Sequence, residues 1–377
     1  MVFVLHMEKL ALHHFRNYKI LTLTLDRNLN VFFGANAQGK TNLLEAIVFV
    51  ASGRSFRTKR ETELIRWEAK ACQVSALIAR GESTEKLQLL LSREPAKKTY
   101  FSAGKPVKRA HYLGRLLTVL FTPEDLAIIK GAPQQRRNFL DELISKVSPV
   151  FEAELQRYSQ ILRQKNQLLR TYGEKIFASP ELASWNEQLA RQGAKIITRR
   201  LFVLRRLNLL ARLAHRRLTQ GEETLELTYH SAVFLPEKNE EKEIEAALLA
   251  GMQEKSKQET KTKQTLVGPH RDEILPCING VNARLYASQG QQRTAVLALK
   301  LAEMEFLKGE SGEYPLLLLD DVFSELDSLR RKSLVEAIDG RVQTFLTGTA
   351  AENLTAFLPA GKFFSIHRGE VKLYAPH

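Results

Sequence analysis

Leu29-Asn30-Val31-Phe32-Phe33-Gly34-Ala35-Asn36-Ala37-Gln38-Gly39-Lys40-Thr41 is the stretch on which the fold turns. Its first five residues form a short apolar run that reads as a buried strand and stops at Gly34. From Gly34 the chain matches G-x-x-x-x-G-K-[ST]. From Lys40 to Ala51 the pattern becomes helical, with Leu43, Leu44, Ile47 and Val50 on one face. Glycines let such a loop curl until several backbone N–H groups face a phosphate chain. The helix N-terminus adds the positive end of its dipole. Lys40 brings a full charge to the β- and γ-phosphates, and Thr41 offers a hydroxyl to Mg²⁺, which prefers oxygen ligands. Gly34, Ala35, Asn36, Ala37, Gln38, Gly39, Lys40 and Thr41 are therefore the candidate nucleotide contacts, with Lys40 also a candidate catalytic group. The alternative, a Gly-rich turn carrying a chance Lys-Thr, is disfavoured by the strand before and the helix after.

A second motif lies about 280 residues further on, where Tyr314-Pro315 precedes four leucines and the pair Asp320-Asp321. Four consecutive leucines predict a strand buried on both faces, as in a parallel sheet. Charges at its carboxyl end sit where open α/β sheets bind ligands. Asp320 is thus the candidate Mg²⁺ partner, direct or through water, and Asp321 is placed to orient or deprotonate an attacking water. Acids that merely cap the next turn are the alternative, weakened by the phosphate loop.

Ala287-Ser288-Gln289-Gly290-Gln291-Gln292-Arg293 opens a third candidate, a helix with Ser288 as N-cap and Gly290 allowing close approach to first-turn N–H groups. Alone it reads as a capped helix. Its place about 30 residues before Asp320, with Ser324-Glu325-Leu326-Asp327 following, gives an order similar to the signature motif, Walker B strand and D-loop of ABC-type ATPases. That resemblance implies that Ser288, Gln289, Gly290 and Gln291 of one subunit cover ATP held by another.

Further stretches resemble the RecF family of bacterial repair proteins: Phe15-Arg16-Asn17-Tyr18, the run from Gly34 to Glu45, Ser52-Gly53-Arg54-Ser55, Phe121-Thr122-Pro123-Glu124-Asp125-Leu126, Arg136-Arg137-Asn138-Phe139-Leu140-Asp141 and Leu266-Val267-Gly268-Pro269-His270-Arg271-Asp272. The similarity spans nearly the whole chain after Met7. It implies an α/β fold, an ABC-type P-loop ATPase head with an inserted helical lobe. It also implies Arg16 at the nucleotide, an ATP-driven dimer on gapped or junction DNA, recombinase loading with other recombination proteins, and SOS induction. Two departures from the wider ABC pattern stand out. Asp321 replaces the usual Glu, and Thr347-Gly348-Thr349 follows the last core strand, Val342–Leu346, where many ABC proteins carry His. Both suit a weak, timing ATPase rather than a motor. No Q-loop glutamine is assigned.

Along the chain, strands are expected over 8–15, 20–25 and within 73–121. Helix is expected from Pro133 to about Leu218 with breaks near Gly173 and Pro180, then a helix over 289–308 and a final helix–strand–strand segment. Residues 1–122 and 265–377 are assigned to the core and 123–264 to the helical arm. Within the arm, 236–264 reads as a short helix and an exposed charged linker. Trp67 and Trp185 read as packing residues.

A net charge of +14 favours a polyanionic partner, nucleic acid or an anionic membrane surface, over solubility alone. Two cysteines, Cys72 and Cys277, form no disulfide or zinc pattern, and no run of about 18 apolar residues occurs, so a cytoplasmic protein is expected. Met7 is an alternative start. Residues 151–220 hold 14 Lys/Arg against 5 Asp/Glu. Within them Arg205, Arg212 and Arg216 share a helix face that could meet DNA phosphates, or could be a solvated face. Arg54, Arg57, Lys59 and Arg60 form a second candidate cluster on the core. The rival readings are a transport-type ATPase subunit, disfavoured by the long helical arm, and a binding module with a vestigial ATPase, disfavoured by intact Lys40, Thr41, Asp320 and Asp321.

Overall fold

The computed structural model describes residues 5–236, 240–325, 328–338, 340–349 and 361–374. The chain divides into two compact units, Met1–Asp125 with Lys300–His377, and Leu126–Leu299. Among the described residues, helices longer than one turn are numbered α1 to α7.

The first unit holds two six-stranded sheets. Strands β1 (His6–Phe15) and β2 (Tyr18–Thr24) form a hairpin, and β3 (Leu29–Phe33) leads into the phosphate loop and α1 (Lys40–Ser52). Strands β4 (Ala71–Arg80), β5 (Ser83–Ser92), β6 (Lys97–Ser102) and β7 (Lys105–Val107) complete an antiparallel sheet of order β2-β1-β4-β5-β6-β7. The second sheet is mainly parallel. It takes β3 together with β8 (Thr118–Phe121), β12 (Leu316–Leu319), β13 (Thr344–Gly348), β14 (Lys362–His367) and β15 (Glu370–Tyr374), in the order β15-β14-β3-β13-β12-β8. All four leucines of β12 are buried, as a strand covered on both faces requires.

Helix α1 differs from the one-sided helix expected. Phe49, Ala46 and Ala51 are buried along with Leu43, Leu44, Ile47 and Val50, because residues of both sheets join it in one core. The strand over 344–348 is also not the last of the core, since β14 pairs parallel with β3 beyond it. The strand–strand ending expected after the last helix is thus three strands, β13, β14 and β15.

The second unit is helical. Helices α2 (Pro133–Val147), α3 (Pro149–Tyr172) and α4 (Pro180–Leu218) follow in sequence, and α5 (Glu241–Thr262) comes after a strand, β9 (Leu225–His230). Strand β9 pairs with β10 (Glu273–Ile278), which pairs with β11 (Val281–Asn282). This small sheet keeps residues 265–299 with the helices, so the chain returns to the first unit at Lys300 rather than at residue 265. Helix α6 (Gln289–Ser311) starts in one unit and ends in the other, and α7 (Ser328–Ile338) belongs to the first. The proposed linker is corrected as well: α5 is a 22-residue helix that buries Ile244, Leu248, Met252 and Glu259. Residues 237–239 of that stretch, and the Met1 start, lie outside the described residues. No helix among the described residues is long and apolar enough to cross a membrane.

Candidate functional site

Residues 34–41 form a loop whose shape is set by backbone conformations unusual for L-residues. Gly34, Gly39 and Ala37 all have positive φ, at 151°, 116° and 62°. Gly39 is required twice over, since a Cβ there would sit 2.5 Å from Asn17 Nδ2 and 2.8 Å from Tyr18 Oη. Two turns strap the loop in place. From the β1–β2 turn, Asn17 Nδ2 donates to Gln38 O at 3.0 Å and Tyr18 Oη to Gly39 O at 3.0 Å. From the β14–β15 turn, Arg368 N donates to Gln38 Oε1 at 2.6 Å. Lys40 Nζ folds over the loop and donates to Gly34 O at 2.7 Å and Ala35 O at 3.0 Å, the carbonyls a phosphate would displace.

The two motifs expected to meet do so. Thr41 Oγ1 donates to Asp320 Oδ1 at 3.0 Å across 279 residues of sequence. Thr347 Oγ1 donates to the same oxygen at 2.8 Å and accepts from Asp321 N at 2.9 Å. Thr347, seen in the sequence only as a departure, is therefore the group that orders both acids. Burial raises the Asp320 carboxyl above the usual carboxylate range, the two threonine hydroxyls oppose this, and Asp321 and Glu124 add like charge. An octahedral Mg²⁺ with oxygens at about 2.05 Å puts neighbouring ligands about 2.9 Å apart. The Thr41–Asp320 separation of 3.0 Å fits that edge. Thr41 and Asp320 would hold the ion, which would offset the buried charge. Asp321 has positive φ, 53°, at the sharp turn after β12.

Arg16 is held by Glu45, with Nε and Nη2 donating at 2.8 and 2.7 Å. Glu45 also accepts from Ser55 Oγ at 2.5 Å and lies 3.7 Å from Arg57. Sequence reasoning missed Glu45 as the hub linking Phe15–Tyr18 to Ser52–Ser55. The signal was present in three motif stretches that all converge on it. Arg57 Nη1 also donates to Asn42 at 2.7 Å, so it is partly engaged within the unit. Arg54, Arg57, Lys59 and Arg60 are all exposed. Trp67 corrects the packing assignment: it is 96% exposed, on a turn closed by Ala69 N donating to Arg66 O. Trp185 does pack, against Leu168, Leu169, Ile176 and Leu182.

Ser288 caps α6, accepting from Gln291 N at 3.2 Å, while Gln291 Oε1 accepts from Ser288 N at 2.8 Å. This reciprocal pair is a capping box. Gln291 Nε2 donates to Glu223 at 2.8 Å, so its side chain is engaged within the second unit. Ser288 and Gln289 are exposed and Gly290 is half-buried. Of the D-loop assignment, Leu326 and Asp327 lie outside the described residues. Arg205, Arg212 and Arg216 are exposed along α4.

A strapped phosphate loop between a parallel strand and an enclosed helix, joined to the buried Asp320 and its neighbour Asp321 at the end of the next core strand but one, defines a P-loop head of the ABC type. Residues 6–361 match the model of the RecF/RecN/SMC N-terminal domain. The "DNA replication and repair protein RecF" of Natranaerobius thermophilus is 40% identical over 378 residues, covering 97% of this chain and 98% of that protein. Its counterpart from Halothermothrix orenii is 41% identical over 376 residues, covering 98% and 99%. The solved structure of the recombination mediator protein RecF-ATP in the RecFOR pathway superposes with a TM-score of 0.90 at 34% identity, covering 100% and 99%. An Smc head domain from Pyrococcus furiosus, at 18% identity and a TM-score of 0.55, shares the fold. The chain belongs to the RecF family.

Proposed function

We propose that this protein binds Mg²⁺–ATP in the Gly34–Thr41 loop and hydrolyses it slowly, as a timer for residence on DNA during recombinational repair and replication-fork maintenance. The observation that carries this is the Thr41–Asp320 contact, which joins a phosphate loop to a metal-ready carboxylate. The strapped loop supplies N–H groups to the phosphates and Lys40 supplies charge. Asp321, held by Thr347, orients the attacking water and accepts its proton. Ser288, Gln289 and Gly290 close over ATP on a second subunit, so ATP drives dimerisation and hydrolysis ends it. Gapped or single-strand/double-strand junction DNA is the substrate surface, met by Arg54, Arg57, Lys59 and Arg60. The reading includes recombinase loading with partner proteins, support of SOS induction and a cytoplasmic location, supported by family membership. The RecF relatives' name and the ATP-bound RecF structure support this reading.

Calorimetry on Lys40→Ala is the direct test. The substitution deletes a charge-assisted contact worth roughly 1.5–3 kcal/mol, so ATP affinity should fall about 10–150-fold. Unchanged nucleotide binding would remove the phosphate loop from the proposal.

A further inference from the structure

Helix α4 presents an apolar ridge to solvent. Phe202, Leu209 and Leu213 are 50%, 65% and 59% exposed. At 3.6 residues per turn their spacing of seven and four places all three within about 40° of arc, along about 16 Å of helix. Arginines flank the ridge on both sides. Arg205, Arg212 and Arg216 lie along one edge and Arg199, Arg206 and Arg217 along the other. The Arg199 guanidinium sits 5.4 Å from the Phe202 ring centroid. No acid occurs between residues 191 and 220. The opposite face of α4 is committed to the lobe, where Val203, Leu204, Leu207 and Ala211 are buried.

We infer that this face is a docking surface for an acidic amphipathic helix of a partner protein, one with an apolar seam flanked by Asp and Glu. A helix lying along α4 would cover the ridge with its seam and set its acids against both rows of arginines, the division of labour between core and flanking positions in a coiled coil. The two rows use arginine alone, the cation enriched at protein interfaces where lysine is depleted. DNA satisfies the arginines but offers Leu209 and Leu213 nothing, because phosphate and sugar do not bury aliphatic side chains. A second copy of this chain would oppose arginine to arginine. The surface shares no residue with the nucleotide loop or the Arg54–Arg60 cluster, so it stands or falls independently of them, and it gives Arg205, Arg212 and Arg216 a protein partner in place of DNA.

The test uses the full-length protein and a labelled three-heptad peptide, with Leu at its a and d positions and Glu at e and g, followed by anisotropy. A Lys-substituted peptide, gapped DNA and phosphatidylglycerol vesicles run in parallel. The Glu peptide should bind and the Lys peptide should not. Leu209→Asp with Leu213→Asp should weaken the Glu peptide about tenfold or more, as loss of buried anchors does, with gapped-DNA affinity unchanged. Arg205→Glu, Arg212→Glu and Arg216→Glu together should exchange the preference, losing the Glu peptide and gaining the Lys peptide. All the substituted side chains are exposed, so the fold is kept, and ATP affinity serves as the control. No binding of the Glu peptide, or equal binding by the leucine variant, would overturn the inference. Loss of DNA or vesicle binding on changing the leucines would reassign the ridge to that ligand.

Discussion

Two of the protein's buried polar networks, one from each unit, are built on opposite plans. In the helical unit three carboxylates pair directly with cations, and a fourth, Asp272, is held by Tyr229 Oη, Ser231 Oγ and Ala232 N with the Arg200 charge nearby. Arg200 grips Asp141 with two bonds of 2.8 Å, Arg136 grips Glu273 with two of 2.8 Å, and Lys165 meets Glu259 at 2.7 Å with both side chains almost fully buried. Arg137 adds a 2.6 Å bond to Asp272 O and Arg200 one of 2.7 Å to Pro269 O. In the first unit Asp320 is held by two neutral hydroxyls, with like charge from Asp321 and Glu124 beside it. The difference is electrostatic completeness. Carboxylates with a cation bonded or nearby hold a fold, whereas a buried carboxylate held by hydroxyls with only like charge beside it is poised for an ion.

The largest expected effect comes from opening a closed pair. Glu259→Ala leaves the Lys165 ammonium buried without its partner and strips Leu266 N of its 2.7 Å acceptor. Removing one member of a buried pair costs about 3–5 kcal/mol, whereas replacing both with apolar residues is often neutral. Denaturant titration should show that loss for Glu259→Ala and recovery of most of it for Lys165→Met with Glu259→Met. Equal stability of the single variant and the parent would mean that the pair is not the structural element its geometry suggests.

A smaller effect is expected from the carboxylate site. Thr347→Val removes a donor to Asp320 and the acceptor of Asp321 N. A buried N–H left unsatisfied costs about 1–3 kcal/mol. The hydroxyl also helps keep the Asp320 carboxyl from rising further, so its loss should move the acid limb of the ATP hydrolysis profile to higher pH. Thr347→Ser should restore both stability and pH profile. A variant that loses stability without moving the acid limb would make Thr347 a packing residue only.

What the sequence shows and hides follows the same division. The phosphate loop, Asp320 and Asp321 are legible because their chemistry sits in contiguous residues at fixed spacing. Thr347 is not, because its role depends on β13 lying beside β12. Helix α5 is obscured for a different reason: Ile244, Leu248 and Met252 recur every four residues amid dense charge, and one of its acids is itself buried. Its pairing with Lys165 is a tertiary fact with no local signature. The stretches Arg136–Asp141 and Leu266–Asp272 are recognisable as family motifs, yet only the fold shows that they meet each other, through Arg137, Arg200 and Asp272. Trp67 reads as packing from residue type alone, the weakest signal of all.

The smallest effect is the most discriminating, because it has the opposite sign. Asp320→Asn keeps an oxygen able to accept from Thr41 and Thr347 but removes the charge. The native Asp320 pKa is raised above its unfolded value, so the folded state holds that proton more tightly. Stability from this group is therefore full below the ordinary carboxylate range and declines as pH climbs through the raised native value. At neutral pH the parent without nucleotide carries that cost and the Asn variant does not. The variant should be the more stable of the two by something on the order of 1 kcal/mol, the scale of one net hydrogen bond, with the advantage vanishing as pH falls. The order should reverse with Mg²⁺ and ATP present, since the ion that offsets the parent's charge finds one ligand weakened in the variant. Melting curves at two pH values, with and without Mg²⁺–ATP, read all four states. An Asn variant less stable than the parent at neutral pH without nucleotide would show that Asp320 is closed like the pairs of the helical unit, and the contrast between the two networks would fail.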